Sequence, residues 1–264
     1  MRVLLTMTLC AAAALAAEPE TLSPARVDEI IKAFTAKEAD FAVARGRYTY
    51  HQTVRLQELD ASGRQQGMWE EVSDIVFDRN LKRTERVTRA PIPTLKNIQL
   101  TPEDLADIRD IQPFVLTSDA VGKYFVRYLG MEKLDDLNCY AFAVKPKTMV
   151  KGERYFSGIV WVDDVDIQVV KTYGRAVGIT ARNQAFPKFE TYRQKVDGKY
   201  WFPVYTIAED TLHFEESSQR IRQVIKYENY AEFKATSRII DATEEVPSPN
   251  APAPGPTKPP TNTK

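Results

Sequence analysis

Few residues in this chain could do chemistry, and their spacing argues against most kinds. His51 and His213 are its only histidines. A histidine-built zinc site would need both together with carboxylates, and no HExxH-like spacing brings them together. Asp163, Asp164 and Asp166 are close enough to suggest a calcium loop. The loop glycine and the distal glutamate are missing, however, and Val165 and Ile167 interrupt the ligands, so a charged hairpin turn is expected. There is no GxSxG elbow, no phosphate-cradling glycine loop and no CxxC pair. Cys139 stands between apolar and aromatic neighbours without a basic residue beside it to stabilise a thiolate, which marks a buried strand residue. The expectation is a protein that binds, with no enzymatic activity, no metal and no cofactor.

The elements that carry these residues begin with a secretion leader. Met1 and Arg2 precede a mostly apolar stretch over residues 3–15, and Ala14-Leu15-Ala16 has the small-x-small form of a cleavage site. Residues 1–16 are therefore read as a signal peptide that directs the protein to the periplasm. The apolar stretch is too short for a membrane span, so the protein is not expected to be integral to a membrane. Cys10 lies inside the apolar core with Leu9 before it, which is not the pattern of a lipidation signal. Without the leader the chain holds 35 basic and 36 acidic residues, interspersed along its length. That balance gives no field for nucleic acid. With Cys10 removed, Cys139 has no intrachain disulfide partner.

From residue 24 the pattern is helical. Ser23 is a good N-cap, Pro24 suits the first turn, and Val27, Ile30, Ile31, Phe34 and Phe41 recur at helical spacing up to Gly46. Lys37 and Glu38 interrupt that stripe, so its middle turn is weak. The period then becomes two. Residues 47–57 and 69–77 read as long strands, joined by a turn at residues 60–63, and residues 83–89 read as a third. A short helix over 102–112, capped by Thr101 and ended by Pro113, interrupts the strands and must cover something apolar. Seven further strands follow between residues 124 and 230. Asp197-Gly198 is the strongest hairpin signal among them. Sequential antiparallel pairing is expected, because the crossover helices of a parallel sheet are missing. Residues 246–264 are rich in proline and poor in apolar side chains, and read as a disordered tail behind a domain over 17–245.

Two stretches of the second half carry a resemblance. GIVWVDDVDIQVVKTYG resembles the strand–turn–strand of periplasmic lipoprotein carriers, the LolA/LolB-like outer membrane lipoprotein-sorting family. FETYRQKVDGKYWFPVYT resembles the next hairpin of that family, with Lys199 inserted after Gly198, and IRQVIKYENYAEF resembles its closing strand. The element order matches over most of residues 47–233. The resemblance implies an α+β fold: a strongly curved antiparallel half-barrel, an unclosed β-barrel, whose concave face is covered by the N-terminal helix and the short inserted helix. The proline-rich tail lies outside the family pattern.

That fold implies carriage of lipid or lipoprotein acyl chains. Each methylene left in water costs roughly 0.8 kcal/mol, so crossing an aqueous compartment requires a shield. Strand parity nominates the lipid-binding residues Tyr50, Val54, Leu56, Trp69, Ile75, Phe77, Tyr140, Phe142, Val144, Val160 and Val162, with Phe114 and Leu116 from the segment after the short helix. Each of these could instead be ordinary core beneath the helices. Expected partners are acyl chains and a membrane-anchored donor or acceptor protein, with no nucleic acid. The alternative is an envelope sensor or adaptor of the same fold that binds a protein partner through its rim.

Overall fold

The computed structural model describes residues 22–78, 82–179 and 186–233. The leader at 1–16 and the tail at 246–264 lie outside the described residues. Helix α1 (Pro24–Arg45) opens the fold, and the Ser23 side chain accepts the Arg26 backbone N–H at 3.3 Å. Strands β1 (Tyr48–Leu59), β2 (Gln65–Phe77) and β3 (Arg83–Arg89) follow as a meander. The inserted helix α2 (Pro102–Ala106) starts with a capping box between Thr101 and Asp104 and continues as a π-helical turn over Asp107–Ile111. Its α-helical part is thus shorter than 102–112, and Leu105, expected on the covered face, is exposed.

Seven strands complete the chain: β4 (Tyr124–Leu134), β5 (Leu137–Pro146), β6 (Tyr155–Asp163), β7 (Val169–Val177), β8 (Phe189–Val196), β9 (Tyr200–His213) and β10 (Ser218–Glu232). All pairings are antiparallel, and the linear order is β3-β2-β1-β10-β9-β8-β7-β6-β5-β4. Among the described strands the only non-sequential neighbours are β1 and β10, which bring the first and last strands together. Asp197 and Gly198 adopt positive φ (50° and 68°), as the hairpin between β8 and β9 requires.

The sheet corrects the expected architecture. It is one open ten-stranded sheet, not a strongly curved half-barrel: hydrogen bonding ends at β3 and β4, at opposite margins of the linear order. The two margins differ. Strand β3 presents Glu85, Arg86 and Arg89, and β4 is interrupted by a bulge that leaves Leu129 unpaired before Gly130 (φ 131°).

The main core lies between this sheet and the helical segments. Ile30 and Phe34 of α1 meet Phe142, Val160 and Val162, while Phe114 stacks on Phe156 with ring centroids 4.3 Å apart. Phe156 lies over the cross-strand pair Gly158 and Gly174, where an added Cβ would fall 2.8 Å and 2.7 Å from its ring. Only glycine leaves room for a flat ring there. The weak turn of α1 is explained by a buried ion pair: Glu38 meets Arg193 at 2.8 Å, with side chains 2% and 1% exposed.

Candidate functional site

A cavity of about 380 Å³ opens where the insert meets the sheet. Its floor comes from alternate residues of four strands: Leu56 of β1, Ile221 and Gln223 of β10, Leu212 of β9 and Ala176 of β7. Register makes this a single face, because Leu56 pairs with Gln223, Gln223 with Ala208, and Glu58 with Ile221. Phe189 and the segment before it supply one wall, and residues 97–101 with Ile108 supply another.

The wall at 97–101 has no regular secondary structure and is held by one carboxylate. Glu58, fully buried on β1, accepts the backbone N–H groups of Lys96, Asn97 and Ile98 at 2.8, 2.7 and 2.7 Å. Asn97 also donates to Gln219 at 2.8 Å. Gly67, opposite Glu58 on β2, gives the incoming chain its space: a Cβ there would lie 2.5 Å from the Thr94 carbonyl oxygen. A buried acid binding three amides and a glycine without clearance thus build the wall together.

The insert is anchored as firmly. Arg154 of the β5–β6 connection grips Asp107 bidentately, Nε to Oδ1 at 2.9 Å and Nη2 to Oδ2 at 2.5 Å, and its guanidinium lies 4.0 Å from the Phe186 ring centroid. Burial pushes the Asp107 carboxyl above its ordinary value, and the Arg154 contact opposes that rise. Gln112 exchanges amide hydrogen bonds with Gln223, and the Thr191 hydroxyl donates to the Gln112 carbonyl. The cavity is therefore mostly apolar along its floor, with Gln223 its polar member, and polar at the side of the insert, where Asp104, Asp107 and Gln112 line it.

Of the residues nominated from sequence, only Leu56 lines this cavity. Phe114, Leu116, Phe142, Val144, Val160 and Val162 are packed in the main core, with Tyr140 against it. Val54 sits in a second cluster with Tyr50 and Trp69; Ile75 is fully buried and Phe77 half-buried. The nominations stopped at the first, second, fifth and sixth strands, and so left out Ala176, Phe189, Leu212 and Ile221 of β7–β10; Ile98, Leu100, Phe186 and Phe214 lie between strands, where alternation gives no signal.

The candidate chemical groups serve structure. His51 Nδ1 lies 3.0 Å from Asp74, a carboxylate that Arg86 also binds at 2.6 Å. Asp163 accepts the Asp166 backbone N–H, and Asp166 binds Lys195 and the Trp201 indole N–H. Among the described residues no group of three His, Cys, Asp or Glu side chains is placed to hold a metal ion. Cys139 is fully buried, and that burial, with Asp163 and Asp164 nearby, pushes its thiol up to about 12. At pH 8 it is a thiol, so the native protein without residues 1–16 should not react with a thiolate-seeking disulfide reagent. Full labelling should appear only in denaturant; rapid labelling of the native state would contradict the buried assignment.

Among the described residues, no helix is long and apolar enough to cross a membrane. No protein-family profile and no curated protein matches the chain. Solved structures give a weak, low-identity likeness to outer membrane lipoprotein-sorting proteins. A LolA superfamily protein from Nitrosomonas europaea shares 13% identity with a TM-score of 0.34, over 76% of this chain and 94% of that one. A lipoprotein-sorting protein domain from Vibrio parahaemolyticus shares 13% identity with a TM-score of 0.36, over 76% and 93%. A chain of the MucA/MucB complex from Pseudomonas aeruginosa shares 11% identity with a TM-score of 0.23, over 76% and 100%.

Proposed function

We propose that this chain is a non-catalytic binding protein of the periplasm that acts as an adaptor, taking an extended segment of a protein partner along edge strand β4. The observation that carries this reading is the contrast between the two margins of the sheet. On β3 the exposed positions are mostly arginine, glutamate and threonine, side chains that discourage strand addition. On β4 Phe125, Leu129 and Met131, which are 53%, 40% and 42% exposed, stand among Arg127, Glu132 and Lys133 beside a backbone edge that no described strand pairs. An unpaired edge with apolar side chains supplies both elements of strand addition, main-chain hydrogen bonds for affinity and side-chain contacts for selectivity. Location in the periplasm follows from the leader read at residues 1–16.

The test is site-specific photo-cross-linking of the full chain in its own envelope. A photoreactive residue at Phe125 or Leu129 should capture one discrete protein, one at Val87 of β3 should not, and Leu129→Lys should abolish capture. Equal capture from both margins, or none from β4, would reject the adaptor reading.

A second reading, carriage of a lipid chain, is favoured by the cavity beside Leu56. Its volume falls within the roughly 300–1,000 Å³ of small-molecule sites. At about 30 Å³ per water-sized group it holds on the order of a dozen methylenes, one chain and not several.

A further inference from the structure

The apolar cavity does not end at its floor. Ala176, Phe186 and Leu212 line both it and a more open cleft of about 620 Å³ beside it. The two spaces differ in chemistry. The cavity combines apolar Leu56, Leu100, Ile108 and Phe189 with the carboxyls of Asp104 and Asp107 and amide side chains, whereas the cleft is lined by Arg154, Arg175, Lys188 and His213.

The acidic group lining the cleft is already engaged, since Asp210 accepts the backbone N–H groups of Lys188 and Thr211 at 3.0 and 2.8 Å. Arg154 stands between the two spaces. Its Nε and Nη2 are committed to Asp107, while Nη1 is buried and has no partner among the described residues. A buried donor without an acceptor is costly, and an anionic ligand oxygen would satisfy it.

We propose that cavity and cleft together form a binding site for a single-chain amphiphile with an anionic head. The alkyl chain lies along Leu56, Leu100 and Phe189, and a carboxylate or phosphate meets Arg154 Nη1 with Arg175 and Lys188 around it. This inference rests on the lipid-chain reading and adds head-group selectivity to it; the β4 edge plays no part. Arg175 and Lys188 are exposed, so they recruit the head without holding the fold together.

The experiment is isothermal titration calorimetry of the full mature chain with four twelve-carbon probes below their micelle concentrations: dodecanoate, dodecyl phosphate, dodecyl maltoside and dodecyltrimethylammonium. At least one anion should bind about tenfold more tightly than the neutral and cationic probes, a difference that Arg175→Glu with Lys188→Glu should erase. Ile98→Trp, which fills the cavity from its half-buried wall, should abolish binding of all four. Equal binding of all head groups would overturn the proposal while leaving the lipid-chain reading intact. Absence of binding by any probe would overturn both, and anion binding that survives Ile98→Trp would show that the chain does not enter the cavity.

Discussion

Arg193→Ala is expected to lower the stability of the chain by about 3–5 kcal/mol, the usual result of leaving one member of a buried ion pair without its partner. Glu38, 2% exposed on the inner face of α1, would be left buried without its partner. The same guanidinium also donates to the Phe114 carbonyl and lies 5.1 Å from the Phe41 ring centroid, so one side chain joins α1, the segment after the insert and strand β8. For a chain of this size the loss corresponds to a fall in Tm on the order of 10 °C. Thermal denaturation followed by circular dichroism would measure it. The double variant Glu38→Met with Arg193→Met removes both charges and should recover most of the loss, which separates a stranded charge from a simple loss of packing. A single variant within about 1 kcal/mol of the parent would mean that α1 is held by its apolar contacts alone.

That ion pair also shows what was legible in the sequence. The apolar stripe of α1 was readable, and so was its interruption at Lys37 and Glu38. What a sequence cannot show is that Arg193, 155 residues later, makes the interruption favourable. The hairpin pairings followed from alternation and from turns such as Asp197-Gly198, because side-chain period and positive-φ chemistry are local properties. The pairing of β1 with β10, and the separation of β3 from β4 that goes with it, were not expected from sequential order. Sheet shape was not local. The resemblance pointed to a strongly curved half-barrel, whereas the described strands form an open sheet whose hydrogen bonding ends at β3 and β4. The cavity was hidden for a related reason. Parity identifies which residues face the helices, yet it does not say which of them the helices already cover. Phe142 and Val160 face inward as read and are packed in the core with Phe34 and Phe114, while the space left over borders Leu56, strand residues of β7–β10 and irregular segments.

One of those segments gives the second large effect. Glu58→Ala should release residues 96–98 from β1, because all three backbone N–H groups lose their acceptor together. Hydrogen bonds to a charged acceptor contribute about 1.5–3 kcal/mol each, but Lys96 and Asn97 lie at the surface, where water replaces part of the loss. The global cost is therefore smaller than the sum, about 2–4 kcal/mol, and most of it appears as local opening. Hydrogen exchange should show the amides of residues 96–98 losing protection by roughly a hundredfold, while the amides of β6 change only with global stability. Glu58→Gln retains a carbonyl acceptor but turns an NH2 toward the same donors, so it should fall between the two. Because Ile98 and Leu100 form the cavity wall, the alanine variant should also lose whatever the cavity binds, even where the remaining sheet melts cooperatively. Unchanged exchange at residues 96–98 would show that the wall is held by Asn97–Gln219 and Thr94–Met68 instead, and that the buried carboxylate contributes little to the site.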